Sequence, residues 1–475
     1  MLRKWRNVHP KLEENIRISN SSKLWKLIGF VIGLATLACT PEEEMITGSG
    51  EAMLSFGQDT VLFDTLFTTQ KSITKGLKIY NPENRAVETN IQLAGGLSSS
   101  YTLYINGEKG VNFENVLLRG KDSLMVLVEA YINPQDENLP FLVEDSLLFR
   151  TNGNEQKVKL ISWGQDAFFI KAWHIQHDTV LSAARPYVIT DSIWVQENVR
   201  LEIPEGANLY FGKGSSLWID GSLHVNGSKE QPILFTHVRQ DGAYANGPGQ
   251  WQGILMSEKS NTHRIDHAII RNAEVGLFII KTDEDTIPDL HLSNTVIENM
   301  SVNGILSVGS DTDAYNLLVS HCIVNAVGNI GKGYYRYVHC TFANDALTYA
   351  RQGPTLYFSD TPEPLSNQPF QLILQNNIVW GSMNDELIIS APEAGAVIDI
   401  KANLIKAESF PYAATNIFNE DPRFTDPAIY VYTLDSTSPA INKGISTFVK
   451  KDLASNDRDL RPDLGAYEYV KEKEE

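Results

Sequence analysis

The sequence predicts an all-β protein: a β-sandwich, then a solenoid of very short stacked strands, then a capping segment. Three observations carry that reading. From Tyr187 to Ile305 the chain keeps restarting one short phrase, as in Tyr187-Val-Ile-Thr, Leu217-Trp-Ile-Asp-Gly221 and Leu223-His-Val-Asn-Gly227. Each phrase reads as a strand with β-branched or aromatic residues at alternate positions, closed by Gly, Asn or Pro-Glu-Gly. No helical period survives in this region. The phrase also returns at a nearly constant interval: Ile265 to Ala268 aligns with Leu292 to Thr295, and Gly276 falls on Gly304 at almost the same offset. Strands this short bury no face alone and must stack on copies of themselves.

Extending the alignment at that interval places Ser293-Asn-Thr-Val on Ser320-His-Cys-Ile, and the phrase returns at Val338, Gln375 and Lys401. Thr295, Cys322, Cys340, Asn377 and Asn403 then occupy one position in successive coils, a column of small polar residues bonding up and down the stack. On these phrases the chain resembles the right-handed parallel β-helix family across residues 178–406. The resemblance implies a solenoid domain at 167–408 whose long side offers a groove to an extended chain. It points toward carbohydrate, because this fold is the scaffold of pectate, alginate and chondroitin lyases and of polygalacturonases.

The chain opens with Lys23 and Lys26 before an apolar run from Leu27 to Leu37. That run is too short to span a bilayer and suits a secretory signal. It ends in Leu34-Ala-Thr-Leu-Ala-Cys39, which resembles a bacterial lipobox, with Thr36 where that pattern prefers Leu. The resemblance implies a signal peptide at 1–38, lipidation of Cys39 and an acidic linker at 39–51. Thr40-Pro-Glu-Glu-Glu44 in that linker resembles the export tag of Bacteroidetes surface lipoproteins. Acyl chains would hold the protein on the outer membrane, facing outward, without a spanning helix.

From 52 to 166 the pattern lengthens to alternating strands, the clearest at 59–67, 75–80, 101–105, 123–128, 145–149 and 158–162. Asn106-Gly107 and Asn152-Gly153 supply turns between them. Lys78-Ile-Tyr-Asn-Pro82 and Phe149-Arg-Thr-Asn-Gly153 resemble the immunoglobulin-like modules that precede β-helices in surface lipoproteins, which implies a β-sandwich. Residues 409–475 are loop-rich and carry Asp421-Pro-Arg-Phe424 and Asp457-Arg-Asp-Leu-Arg-Pro-Asp463, which resemble the closing segment of extracellular β-helix proteins. Such a segment covers the unpaired edge and apolar end that a last coil exposes. In that context Arg458, Arg461 and Asp463 read as structural ion pairs.

Forty basic against 58 acidic residues give a net charge of −18. That surface repels nucleic acid and anionic lipid, so neither is expected as a partner. Four constellations bear on chemistry. His263 and His267 have the i, i+4 spacing of a helical zinc pair, but in a strand they stand over about 10 Å apart. His321-Cys322 and His339-Cys340 would stack in successive coils, yet adjacent strand residues face opposite ways, so buried thiols are the expectation over a zinc site. Asp283 and Asp285 follow Gly276 by the same interval at which Asp311 and Asp313 follow Gly304, so the two pairs are expected on neighbouring coils. They are either solvated acidic loops or oxygen ligands for Ca²⁺. Trp218 and Trp251 either stack on sugar or pack in the solenoid.

No segment matches the catalytic motif of a lyase or a hydrolase residue by residue, and a fold alone does not assign an activity. The sequence therefore predicts a lipid-anchored cell-surface protein that binds glycan or adheres without catalysis. The alternatives are a polysaccharide lyase or glycoside hydrolase with an unrecognised site, and a structural component of a surface assembly.

Overall fold

A computed structural model describes residues 45–281, 287–345, 349–361, 369–390, 395–408, 411 and 415–471. Cys39 and the leader lie outside them. The described chain is almost wholly β, and it divides into two compact units: residues up to 61 with 76–128 and 145–159, and residues 62–75, 129–144 and 160–475. The boundary falls inside the long strands Thr60–Phe67, Phe141–Thr151 and Asn154–Gln165.

In the N-terminal part the strands form two five-stranded sheets. Strict alternation builds the core between them: Leu77, Ile79, Leu103, Val126, Ile91, Leu147, Phe149 and Val158 are all fully buried, and their strand neighbours face water. Phe56 of one sheet meets Phe149 of the other at 4.9 Å between ring centroids. The Asn-Gly turns behave as their chemistry demands. Asn106 and Gly107 lie at φ 53° and 86°, and Asn152 and Gly153 at 47° and 91°, the paired left-handed conformations of a tight hairpin turn. Sequence reading missed the strands Val87–Leu93 and Asn112–Leu118, whose Thr, Asn, Gln and Glu residues dilute the apolar alternation.

The solenoid is a single sheet of 25 strands in which each coil pairs in parallel with the next. It starts with Phe168–Ile175, which pairs with Tyr187–Val195. Three ladders of strands wrap the core. The first runs from the end of Tyr187–Val195 through Ser216–Ile219 and Gly253–Met256 to Leu387–Ser390. The second runs through Arg200–Pro204, Ser222–Asn226, His263–Asp266 and on to Val397–Lys401. The third runs through Asn208–Phe211, Ile233–His237 and Ala268–Arg271 to Leu404–Ile405. A right-handed crossover is the form such parallel connections take. Inside, one continuous cluster of buried residues runs from Ile175 to Ala407. It is fed by every second residue of each strand.

The coil is not of constant length, and this corrects the uniform repeat. Ile265 does pair with Leu292, as the alignment expects. Leu292, however, pairs with Ala314 across a shorter coil, while Val225 reaches Ile265 across a much longer one. Thr295 therefore faces Leu317, not Cys322. Cys322 stands opposite Met300 at the next corner of the coil, so the two His-Cys pairs do not stack and build no shared site. The physical reason is that two corners use one vocabulary. Between the second and third ladders His267, Asn294, Asn316, His339 and Asn376 hold φ between 47° and 59°, and after the third ladder Asn272, Asn299 and His321 hold 55° to 67°. Asn tolerates this left-handed conformation because its side chain bonds locally. The residue after the corner is small and polar in Asn294-Thr295, His339-Cys340 and Asn376-Asn377 at one corner and in His321-Cys322 at the other, so the same phrase can arise at either corner. The ladder itself is real further on. Asn377 Oδ1 accepts from Cys340 N at 2.8 Å, Asn403 Oδ1 from Asn377 N at 2.8 Å and Asn416 Oδ1 from Asn403 N at 2.9 Å.

The C-terminal segment lies along the outer face of the third ladder. Leu434, Ala440 and Leu464 pack on Ile378 and Leu404, and Tyr432 packs on Leu318 and Ala343 with Val296 at the edge. Arg458 is buried there, pairs with Glu468 at 2.9 Å and donates to Asn316 Oδ1 at 3.1 Å. Asp463 accepts from the backbone of Asn442 and Tyr469 at 2.7 and 2.6 Å. Both residues serve structure. Arg461 stays exposed. Among the described residues no helix is long and apolar enough to cross a membrane.

Candidate functional site

The outward positions distinguish the three ladders. On the third, apolar positions from Val296 to Leu404 lie under the C-terminal segment, and Arg271 pairs with Glu298 in register at 2.9 Å. On the first they are Trp194, Trp218, Leu255, Phe278, Leu306, Gly328, Tyr357 and Ile388, aligned strand to strand. On the second they carry charge. Glu202, His224, Arg264, His291, Asp313 and Arg336 follow one another in register across six coils, a side chain about every 4.8 Å.

Two kinds of surroundings occur along this row. Arg336 makes a bidentate pair with Asp313, at 2.7 Å from Nε and 2.6 Å from the terminal nitrogen. Its guanidinium also lies 5.1 Å from the Phe448 ring centroid, and Phe448 meets Tyr315 edge-on at 5.4 Å. Arg264 differs. It is exposed, forms no ion pair among the described residues, and has a histidine on either side in register. Burial holds the His224 imidazole below its ordinary value, and Arg200 and Arg264 add to that against Glu202. Burial and then Arg264 do the same to His291, against Asp313 at 3.9 Å. At neutral pH both rings are uncharged, so the Arg264 cation stands between two hydrogen-bonding rings and forms no ion pair among the described residues. Beside it, burial raises the Asp266 carboxyl, but hydrogen bonds from His267, Ser293 and Asn294 outweigh it and keep the group ionised. The chemistry that Arg264 offers is a single outward guanidinium for an anionic group. A guanidinium meets a carboxylate or sulfate through a planar fork.

The residues singled out from sequence are placed as follows. Asp313 is held by Arg336 and faces outward. Asp311 is buried, accepts from Tyr334 N at 2.7 Å, and its own N–H donates to Asp289 Oδ2 at 2.8 Å. The carboxylate aligned with Asp311 is thus Asp289, because Leu290 pairs with Thr312. The equal offsets from Gly276 and Gly304 misled because the turn after Val308 is short and the one after Ile280 is long. Asp283 and Asp285 lie outside the described residues. Among the described residues no group of three or more His, Cys, Asp or Glu is arranged to hold a metal.

Trp251 is corrected to a core residue. It is fully buried, stacks on Phe211 at 4.2 Å and donates its indole N–H to Arg271 O at 2.9 Å. A ring so enclosed presents no face to a sugar. Trp218 stands at the surface, 36% exposed, with its indole N–H on Asp220 at 2.9 Å. Its neighbour Trp194 stacks on His174 at 4.6 Å. The sequence held that signal: Ser192-Ile-Trp-Val195 and Ser216-Leu-Trp-Ile219 are one phrase repeated. His263 is fully buried, opposite Leu290 in register, and its Nδ1 accepts from Leu223 N at 3.1 Å. It is a core residue, and the outward residue of that strand is its neighbour Arg264. Cys322 and Cys340 are fully buried, and burial pushes both thiols up to about 12.

No family model matches the chain, and no curated protein matches it. Among solved structures it is similar to XylC in complex with xylose, at 10% identity over 86% of this chain and 89% of that one, with a TM-score of 0.36. It is similar to pectate lyase Pel9A at 12% identity over 64% and 88%, with a TM-score of 0.33. A family 123 glycoside hydrolase from Clostridium perfringens aligns at 7% identity over 26% of this chain, which spans 30% of that hydrolase, with a TM-score of 0.19. At these scores the likenesses carry no functional weight, and function has to be argued from the chain's own residues.

Proposed function

We propose that this is a lipid-anchored cell-surface protein, of the Bacteroidetes type, whose β-helix binds an acidic polysaccharide without cleaving it. The observation that supports the binding is the unpaired Arg264 within the row from Glu202 to Arg336. A chain with a net charge of −18 has no general attraction for polyanions. An unneutralised guanidinium on its outer face, between two imidazoles, is a local exception that suits a uronate or sulfate group. Trp218, with Trp194 beside it, supplies a ring face for a second stretch of sugar. The anchor is Cys39, and the acidic residues after it direct the protein outward.

A second reading is supported by the same arginine. A polysaccharide lyase needs a base beside a cation that neutralises the uronate carboxylate, and Arg264 with His291 and Arg336 offers those groups. One experiment separates the readings. The full-length Cys39→Ser protein is titrated with polygalacturonate, alginate and chondroitin sulfate while unsaturated sugars and reducing ends are followed. Saturable binding without product supports recognition alone. Product formation that is lost in Arg264→Ala makes the protein a lyase. Absence of both supports a structural role in a surface assembly. The address is tested in cells: membrane association unchanged by Cys39→Ser would defeat the anchor.

A further inference from the structure

A cavity among the described residues lies away from the second ladder. It is a cleft of about 900 Å³ lined by residues 62–67, 70–73 and 75, Trp163, Gln165, Asn208, Tyr210 and residues 238–241, all within the second compact unit. Its volume is at the upper end of the range for small-molecule sites.

The charges in this cleft are spent. Lys71 pairs with Glu129 at 2.9 Å, Lys75 with Asp64 at 3.9 Å and Arg239 with Asp241 at 3.2 Å. Arg239 is further committed to the Tyr244 ring, 3.4 Å from its centroid. An ionic ligand entering here would have to break one of these pairs.

Rings and amide oxygens remain. Trp163 is 43% exposed, and Phe67 and Tyr210 meet at 4.9 Å. The amide nitrogens of Gln165, Asn208 and Gln240 donate to Asp166 O at 2.9 Å, Gly206 O at 3.0 Å and His237 O. With the nitrogens so engaged, each carbonyl oxygen is fixed in place and has no donor among the described residues. Gln70 adds a fourth amide. Fixed acceptors next to aromatic faces, with no free charge, match a ligand rich in hydroxyl donors with apolar ring faces. We propose that this cleft is a second carbohydrate site, selective for a short neutral oligosaccharide. It does not depend on the acidic-glycan reading, because it shares no residue with the row on the second ladder.

The test uses full-length Cys39→Ser protein, calorimetry and tryptophan fluorescence. The probes are cellohexaose, xylohexaose and maltohexaose as neutral oligosaccharides and trigalacturonate as the acidic one. At least one neutral hexamer should bind, and Trp163→Ala should weaken it tenfold or more. Trp163→Phe, which keeps a ring, should stay within about threefold, and Gln240→Ala should weaken it several-fold. Arg264→Ala should leave neutral binding unchanged. The proposal is overturned if no neutral hexamer binds at millimolar concentration, if binding survives Trp163→Ala, or if Trp163→Ala removes trigalacturonate instead. A Trp163→Ala protein that fails to fold leaves the decision to Gln240→Ala, where unchanged affinity also overturns it.

Discussion

Replacing Arg264 by Ala removes the one cation in the row from Glu202 to Arg336 that has no carboxylate of its own among the described residues. Two charges about 4 Å apart interact by roughly 1 kcal/mol in bulk water and roughly 4 kcal/mol at the effective dielectric of a protein surface. A hydrogen bond to a charged group contributes about 1.5–3 kcal/mol. Arg264 is exposed, so the lower part of that range applies, about 1.5–2 kcal/mol. The dissociation constant for an acidic oligosaccharide should then rise about 10- to 30-fold. Arg264→Lys keeps the charge and loses the fork, and should fall between. Isothermal titration with trigalacturonate at two salt concentrations reads both effects, and the wild-type advantage should shrink at the higher one. A change below about twofold, or an equal loss for a neutral oligosaccharide, refutes the assignment of the row as an anion site.

Three consequences concern stability. His263, His321 and His339 are held by burial near 3, 4 and 2, so the folded protein keeps them neutral while the unfolded chain takes up protons below about 6.5. Stability therefore falls as pH drops from 7 towards 4, and urea unfolding at pH 7.5 and 5.5 should show it. His263→Leu, with Leu290 as its neighbour in register, should remove one proton's share of that slope whatever it does to the absolute value. Glu386 is fully buried, pairs with Arg351 and accepts from Thr355 N at 2.8 Å. Glu386→Ala should cost about 3–5 kcal/mol by chemical denaturation, because it leaves a buried guanidinium uncompensated. Asn403→Ala strips the acceptor from Asn377 N and should cost about 1–3 kcal/mol, whereas Asn384→Ala at an exposed position should be near neutral.

The solenoid was legible because its period is written in the apolar residues. Ile265 over Leu292 is a true pairing, and inward residues must keep this spacing to fill one core. The same comparison failed between Ser293 and Ser320. Corners obey only local backbone chemistry, and two corners per coil ask for the same left-handed Asn or His. The site was half legible. Arg264 and His291 share the offset of Ile265 and Leu292 and do pair, but His263 and His267 draw the eye along the strand, whereas in a β-helix the neighbours of a side chain lie across coils. Arg336 could not be placed without knowing that the next coils, from His291 to Asp313 and from Asp313 to Arg336, are shorter. The role of the C-terminal segment was also written indirectly. Third-ladder strands such as Thr341–Asn344 are buried at every position, the sign of a strand covered on both faces.

That covering narrows where a large ligand can lie. A polysaccharide needs an uninterrupted outer face several coils long, and the third ladder has lost its own from Val296 to Leu404 to the C-terminal segment. The first ladder offers rings and aliphatic side chains but no cation in its aligned row. Among the described residues the second combines length with charge, and there Asp313 neutralises Arg336 while Arg264 forms no ion pair. A carboxylate on Glu202 or Asp313 could each have been drawn toward it, yet one lies two coils below and the other two coils above, about 10 Å away at strand spacing. Asp266, two residues along the same strand, is engaged by His267, Ser293 and Asn294 instead. Under the proposed function, selectivity for an acidic glycan would reside in which residues flank Arg264 as much as in Arg264 itself.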